Sequence, residues 1–328
     1  MNGRIPESMT LAYGGNALKE GWPDGNTIEA QERAMTKAAK SIVAIRAWVN
    51  KVVVVHGNGP QVGWMAQRSD IALEHGMHPV HLRNLVASSQ GAIGTSMVRQ
   101  VVNVSPSLRG KVVEVGTQVQ VDENDPAFKN PSKPIGDFMT KARADEMRDK
   151  YGWVIMERND SPDKEKPYRR MVASPEPVDI AEISTIRLLV NNEIVTVCCG
   201  GGGVPYILKK DGTIEWVDAV IDKDLAAALA GILLQTRMLT IFTASDGIYT
   251  PEDFQRKRDG DLSAKPVPRL TVKELEQMSA DLPAGSMGPK AEALRRFTAT
   301  TGNVSWVGPL DRGFEALTTG GGTKIVPV

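Results

Sequence analysis

Cysteine is nearly absent from this chain of 328 residues, which contains only Cys198 and Cys199, adjacent in an apolar run. Neighbouring thiols supply neither a disulfide framework nor the spacing of a zinc site, so a reducing compartment is expected. An excess of charge of one sign is also missing, because 39 Lys and Arg balance 39 Asp and Glu. A general nucleic-acid binder rests on a basic excess that displaces counterions from phosphates, so nucleic acid is not an expected partner, although a local basic site stays open. Long apolar runs are lacking too: Leu225 to Leu234 is the longest, about half of the ~20 residues a bilayer span needs. The opening MNGRIPESMT has no signal-peptide core, so a cytosolic protein without a membrane partner is expected. With 5% aromatic, 41% hydrophobic and 24% charged residues, the composition is that of an ordinary globular chain. Its length predicts roughly two domains, or one large α/β domain.

What the chain has is alternation. Met9–Tyr13, Lys51–Val55, Lys111–Val121, Ile194–Cys199, Met238–Thr243, Val304–Val307 and Lys324–Val326 read as strands, several apolar on both faces. Double burial of this kind marks a central, largely parallel sheet covered by helices. Between the strands, Ile28–Asn50, Asp179–Asn191, Asp224–Leu234 and Lys290–Thr300 carry apolar residues near helical spacing. A βαβ pattern predicts an α/β fold, a three-layer αβα sandwich. The stretch 122–170 departs from it, with five prolines (Pro126, Pro131, Pro134, Pro162, Pro167) and a helical segment at Lys141–Tyr151. An insertion this long with structure of its own reads as a small subdomain or lid. Residues 251–268 read as a surface excursion. His75, His78 and His81 invite a metal reading, but Gly76 and Pro79 interrupt the helix that would align them, so no metal site is assigned there.

Three glycine clusters follow predicted strands: Gly14-Gly15-Asn16, Gly57-Asn58-Gly59 and Gly200 to Gly203. In an open α/β sheet, ligands bind outside the carboxyl ends of the strands, so the clusters should converge on one site. Glycine there lets backbone N–H groups approach an anion, and a following helix adds its positive end. A single glycine after a strand is often only turn geometry, whereas three at equivalent positions point to a ligand with several phosphate or carboxylate oxygens. The commonest nucleotide loops are missing, since neither G-x-x-x-x-G-K-[ST] nor a dinucleotide fingerprint occurs. Protein-kinase signatures and a nucleophile elbow are likewise absent.

Lysines complement the glycines. Lys133 lies in PSKPIG, Lys223 between Asp222 and Asp224, and Lys290 where a helix begins. Lysine at a helix start opposes the dipole, so local stability does not explain these placements. Phosphoryl transfer between two anions does, because cations must spread over both reactants while carboxylates position the lysines and a metal ion.

On these residues the chain resembles the carbamate kinase family of the amino acid kinase superfamily. The matching segments are Gly14-Gly-Asn-Ala-Leu18, His56-Gly-Asn-Gly-Pro-Gln-Val-Gly63, Ser89-Gln-Gly-Ala-Ile-Gly94, Thr117-Gln-Val, Asp125-Pro-Ala-Phe128, Lys133-Pro-Ile-Gly136, Gly200-Gly-Gly-Gly-Val-Pro205, Val220-Ile-Asp-Lys-Asp-Leu-Ala226 and Ala284-Gly-Ser-Met-Gly-Pro-Lys290. They run in family order from about residue 11 to Gly322-Thr323. The resemblance implies an open, mainly parallel sheet of eight strands, one domain over 1–328 with 122–170 as its protruding subdomain, and a homodimer. It implies reversible phosphoryl transfer between ATP and carbamate, running from carbamoyl phosphate and ADP to ATP in the catabolic direction of arginine metabolism, with Mg²⁺ accompanying the nucleotide.

By the same resemblance, Gly14, Gly15 and Asn16 cradle the transferred phosphoryl, and Gly57, Asn58 and Gly59 hold the carbamate side. Lys133 neutralises the acceptor from the subdomain. Lys223 and Lys290 contact nucleotide phosphates, and Asp222 and Asp224 orient the lysines and favour Mg²⁺, with no dedicated metal-ligand set. Gly201 and Gly202 face the phosphate bridge, while Asp246, Tyr249 and Met287 border the nucleotide. The chain departs from the family at Thr243-Ala-Ser-Asp246, which lacks one carboxylate, and at Thr95 and Met139, which replace tyrosines. Two other readings stay open: a kinase of another small carboxylate or phosphonate, and a nucleotide sensor without turnover.

Overall fold

The computed structural model describes residues 6–14, 27–59, 61–78, 80–279, 282 and 287–328. The first half contains β1 (Ser8–Tyr13), α1 (Ile28–Trp48), β2 (Lys51–His56), α2 (Gln61–Glu74), α3 (Leu82–Val104), β3 (Val112–Glu114) and β4 (Gln118–Gln120). There follow β5 (Lys133–Met139), α4 (Lys141–Tyr151), β6 (Ile155–Glu157), β7 (Tyr168–Val172), β8 (Asp179–Ile180), α5 (Ile183–Asn191) and β9 (Val195–Cys198). The remainder comprises β10 (Val204–Leu208), β11 (Ile214–Trp216), α6 (Lys223–Leu234), β12 (Met238–Thr243), α7 (Pro251–Arg258), β13 (Arg269–Thr271), α8 (Val272–Met278), α9 (Met287–Thr301), β14 (Val304–Pro309), α10 (Gly313–Thr319) and β15 (Thr323–Val326).

Eight strands form the central sheet in the order β13-β15-β14-β12-β1-β2-β9-β3, parallel throughout except where β15 runs against β14. The expected αβα sandwich is therefore present, and the strand alternation explains it. Ala12, Val53 and Val55 join the core beneath α6 and α9, while Leu11, Tyr13, Val52 and Val54 join the core beneath α1 and α3. With side chains alternating across the pleat, both sets must be apolar once helices cover both faces. On the α1 side, Tyr13 stacks on Phe242 at 4.8 Å between ring centroids, and Trp306 meets Phe242 edge-on at 5.7 Å.

Two sequence expectations need correction. Lys111–Val121 is not one strand: β3 pairs with β9 in the main sheet, whereas β4 pairs with β10 and β8 in a separate four-stranded sheet. The chain turns between them because the Thr117 hydroxyl donates to the Val115 carbonyl (2.7 Å) and accepts from Cys199 N–H (3.0 Å), replacing ladder bonds. Likewise, the helix expected over 179–191 starts at Ile183. Asp179 and Ile180 belong to β8, and the Glu182 carboxylate accepts from the Gln118 backbone (2.8 Å) and amide (3.1 Å). The excursion at 251–268 contains α7, whose Thr250 cap accepts from Asp253 N–H at 3.1 Å.

Within the proline-rich insertion, β5, β7 and β6 form an antiparallel three-stranded sheet, with α4 packed on it through Ala144 and Met147. Helix α4 occupies the span expected of it. Thr140 caps its start by accepting from Arg143 N–H (3.3 Å), and Gly152 ends it in the left-handed region at φ 64°. Among the described residues no helix is long and apolar enough to cross a membrane. No group of three or more His, Cys, Asp or Glu residues among them could hold a metal ion, and His81 instead faces Asp218 at 3.4 Å.

Candidate active site

The glycine turns lie at one edge of the sheet because β1, β2 and β9 are parallel and end together. Gly14 N–H donates to the Phe242 carbonyl (3.4 Å) and Gly57 N–H to the Tyr13 carbonyl (3.0 Å), which ties the ends of β1, β2 and β12. Asn58 then reaches across to the turn after β9, its amide donating to the Gly201 carbonyl at 3.4 Å. The Ser89 hydroxyl fixes the other end of that amide by donating to Asn58 Oδ1 at 2.7 Å. Gly201 must be glycine, since its φ is 69° and a Cβ would stand 1.9 Å from Asn58 Oδ1. Gln90 braces the same turn by accepting from Thr117 N–H (3.0 Å) and Gly200 N–H (3.2 Å). Gly59 sits two residues before α2, and Gly202 packs against the Ile221 backbone. Gly15 and Asn16 lie outside the described residues.

Opposite these turns stands the start of α6. Asp222 caps it, its Oδ1 accepting from Asp224 N–H (2.8 Å) and Leu225 N–H (3.4 Å). Asp224, only 2% exposed, is paired through both oxygens: Lys223 Nζ at Oδ1 and Lys290 Nζ at Oδ2, 3.3 Å away. Lys133, the first residue of β5, arrives from the insertion and reaches Asp222 Oδ2 at 3.5 Å and the Ile221 carbonyl at 3.4 Å. All three lysines named from the sequence thus gather on two carboxylates. Lys223 also meets the first glycine turn, because a Cβ at Gly14 would stand 3.9 Å from its Cε. Met287 begins α9 and packs on the core between α9 and α6, one turn before Lys290.

Burial lowers the pKa of Lys223, the Lys290 charge pushes the same way, and Asp224 opposes them. For Asp222 burial acts upward, but Lys133 and Lys223 outweigh it and hold the carboxyl below its usual range. Withdrawing charges from water costs several kcal/mol per ion unless partners restore it. Polyanionic ligands would be the natural recipients of a preorganised lysine group of this kind, in a setting where each contact is stronger than in water.

Asp246 and Tyr249 form a separate cluster. Tyr249 OH and Lys257 Nζ donate to Asp246 Oδ2 (3.1 and 2.6 Å), and Arg312 approaches Oδ1 at 3.4 Å. Lys257 is the main reason that the Asp246 pKa is lowered. Asp246, Tyr249 and Arg312 line a cleft of about 510 Å³ together with Glu315 and Gly320 to Gly322. Lys257 and Arg312 carried no sequence signal, being 11 and 66 residues from Asp246 in the chain.

His56 was visible only as the first residue of the HGNG segment, yet it is fully buried beneath the site. Its Nδ1 is 2.8 Å from the Gly57 carbonyl, which assigns the proton to Nδ1, and its Nε2 has no partner among the described residues. A Cβ at Gly200 would come within 2.6 Å of the ring. Burial pushes its pKa down to about 4, against a favourable bond to Gly57, with Lys223 adding to the shift. Between pH 6.5 and 4 the unfolded chain therefore binds a proton that the folded protein refuses. This contribution to stability is complete above pH 6.5 and falls by about 3 kcal/mol as pH drops toward 4. In urea melts at pH 7, 6 and 5, the stability gap between wild type and His56→Asn should narrow with each step. A constant gap would show that the imidazole does not titrate in this way.

The residues from 12 to 304 match the model of the amino acid kinase family. Carbamate kinase of Pyrococcus horikoshii is 36% identical over 98% of this chain and all of its own length, and that of Trichomonas vaginalis is 35% identical over 97% and 99%. The solved structure of Giardia lamblia carbamate kinase bound to AMP-PNP superposes with a TM-score of 0.84 at 32% identity, covering 98% of each chain. The chain belongs to the amino acid kinase family. Within that family it falls among the carbamate kinases, and it is a phosphotransferase.

Proposed function

We propose that the lysine and glycine cluster transfers a phosphoryl group between carbamoyl phosphate and ADP, reversibly, with residues in the following roles. An oxygen of the ADP terminal phosphate attacks phosphorus, the bond from phosphorus to the carbamoyl oxygen breaks, and carbamate leaves. No nucleophilic side chain is needed. Gly14, with Gly15 and Asn16, receives the transferred group, while Gly57, Asn58 and Gly59 hold the carbamate side. Lys223 neutralises the moving phosphoryl, Lys290 the nucleotide phosphates and Lys133 the carbamoyl oxygen. Asp224 fixes two of these lysines, and Asp222 the third. Gly201 and Gly202 face the bridge between the reactants, and Asp246, Tyr249 and Met287 border the nucleotide.

The observation that carries this reading is the convergence of Lys133, Lys223 and Lys290 on Asp222 and Asp224, with Lys223 beside Gly14. The donor set also suits magnesium carried by the nucleotide rather than caged by the protein. Both Asp224 oxygens are held by lysines and Asp222 Oδ1 caps a helix, leaving Asp222 Oδ2, loosely met by Lys133, as the available ligand. Bound there, the ion would spread the charge of the phosphate oxygens. We further propose one domain with 122–170 as a lid bearing Lys133, a homodimeric assembly and a cytoplasmic location.

The test is ATP formation from ADP and carbamoyl phosphate with Mg²⁺. Lys133→Ala should raise KM for carbamoyl phosphate by about 10–100-fold and lower kcat less, because the lost contact lies on the carbamoyl group. Wild-type kinetics in that variant would place the carbamoyl group elsewhere, and nucleotide binding without ATP would favour a sensor.

A further inference from the structure

A pair of cavities separates the insertion from α2, and the residues assigned to phosphate or carbamate line neither. They measure about 420 and 390 Å³ and share Ala66 and Asp70 of α2 with Trp153 and Arg170 of the insertion. Arg170 is their partition. Its guanidinium lies 4.1 Å over the Trp153 ring and makes no hydrogen bond among the described residues. Asp70 and Asp218 act on it only through their fields, and Asp218 is already paired with Arg83 at 3.3 Å. A half-buried fork of five donors with no protein acceptor among the described residues is open to a ligand, and the group that matches it in shape is a carboxylate bound through two oxygens. The smaller cavity continues past Arg170 onto Ile135, Phe138, Met139 and Met147, an apolar wall that suits a flat hydrocarbon body.

We infer that this cleft is an effector site for a small carboxylate with a planar apolar body, anchored by Arg170 and seated against Trp153. The site is mechanically close to catalysis, an argument that rests on the proposed role of Lys133. In the β5–β7 pairing Arg170 lies opposite Ile135 and Val172 opposite Lys133, so an occupant touches the strand pair that carries the lysine. On its other side the occupant touches α2, which begins two residues after Gly59. Filling the cleft would hold the insertion away from the carbamate loop and weaken carbamoyl phosphate more than ADP.

Calorimetric titration of the full chain with 2-naphthoate, and with 2-naphthylmethanol as its uncharged counterpart, tests the site without turnover. Naphthoate should bind at least tenfold more tightly than the alcohol, and Arg170→Met should weaken it at least tenfold while leaving ATP formation within about twofold of wild type. In wild type alone, naphthoate should raise KM for carbamoyl phosphate several-fold with little change in KM for ADP. Should Arg170→Met fail to fold, Ala66→Leu narrows the neck common to both cavities and should cause the same loss. Absence of binding by wild type, equal binding by both variants, or inhibition lost in Lys133→Ala but kept in Arg170→Met would each overturn the inference. If ATP formation fails while naphthoate still binds through Arg170, the catalytic reading falls and the site stands.

Discussion

Lys223→Met is expected to lower kcat for ATP formation by about 10²–10³-fold with the protein still folded. The end of the Lys223 side chain, 11% exposed, lies beside Gly14, and in such a setting a donor aimed at developing charge contributes most. Methionine keeps the length and apolar stem of the side chain but donates nothing. Asp224 would keep Lys290 at 3.3 Å, so the carboxylate is not stranded and a thermal melt should shift by only a few degrees. Because Lys290 remains to meet the nucleotide, KM for ADP should change little, the pattern of an interaction made mainly in the transition state. A variant with kcat within threefold of wild type would remove Lys223 from the reaction and leave it an ion-pair partner only.

Much of this arrangement was legible in the chain itself. The sheet was visible because strands buried on both faces must be apolar at every position, as Lys51–Val55 shows with Val52 and Val54 on one core and Val53 and Val55 on the other. The lysines were visible because Lys290 stands where a helix start disfavours it and Lys223 lies between two aspartates. Side chains that act across the fold were not. Ser89 and Gln90 opened a segment that carried the family resemblance, but Ser89 reaches Asn58 over 31 residues and Gln90 bonds the Gly200 turn over 110, so nothing local told what either holds. The break between β3 and β4 was hidden for the same reason, since the Thr117 hydroxyl that stabilises it is satisfied by Cys199, 82 residues away. Periodicity reports burial, and here both arms of the bend are buried enough to read as one strand.

Asp224→Asn should be the most damaging single change to stability, because it removes the one carboxylate shared by two ammonium groups. Breaking a buried pair typically costs about 3–5 kcal/mol, mostly from charges left without a partner. Here two cations would remain at the start of α6, where the helix dipole adds to their repulsion. Activity should fall as well, since Lys223 would no longer be fixed beside Gly14 nor Lys290 at the start of α6. The origin of the loss can be separated by a double-mutant cycle with Lys290→Met. If repulsion dominates, Asp224→Asn combined with Lys290→Met should be more stable than Asp224→Asn alone, although Lys290→Met by itself destabilises wild type. That coupling should shrink as salt is raised only slightly, because the pair is buried and poorly screened. Strict additivity in the cycle would mean that the carboxylate stabilises the fold through the helix start rather than through its two lysines.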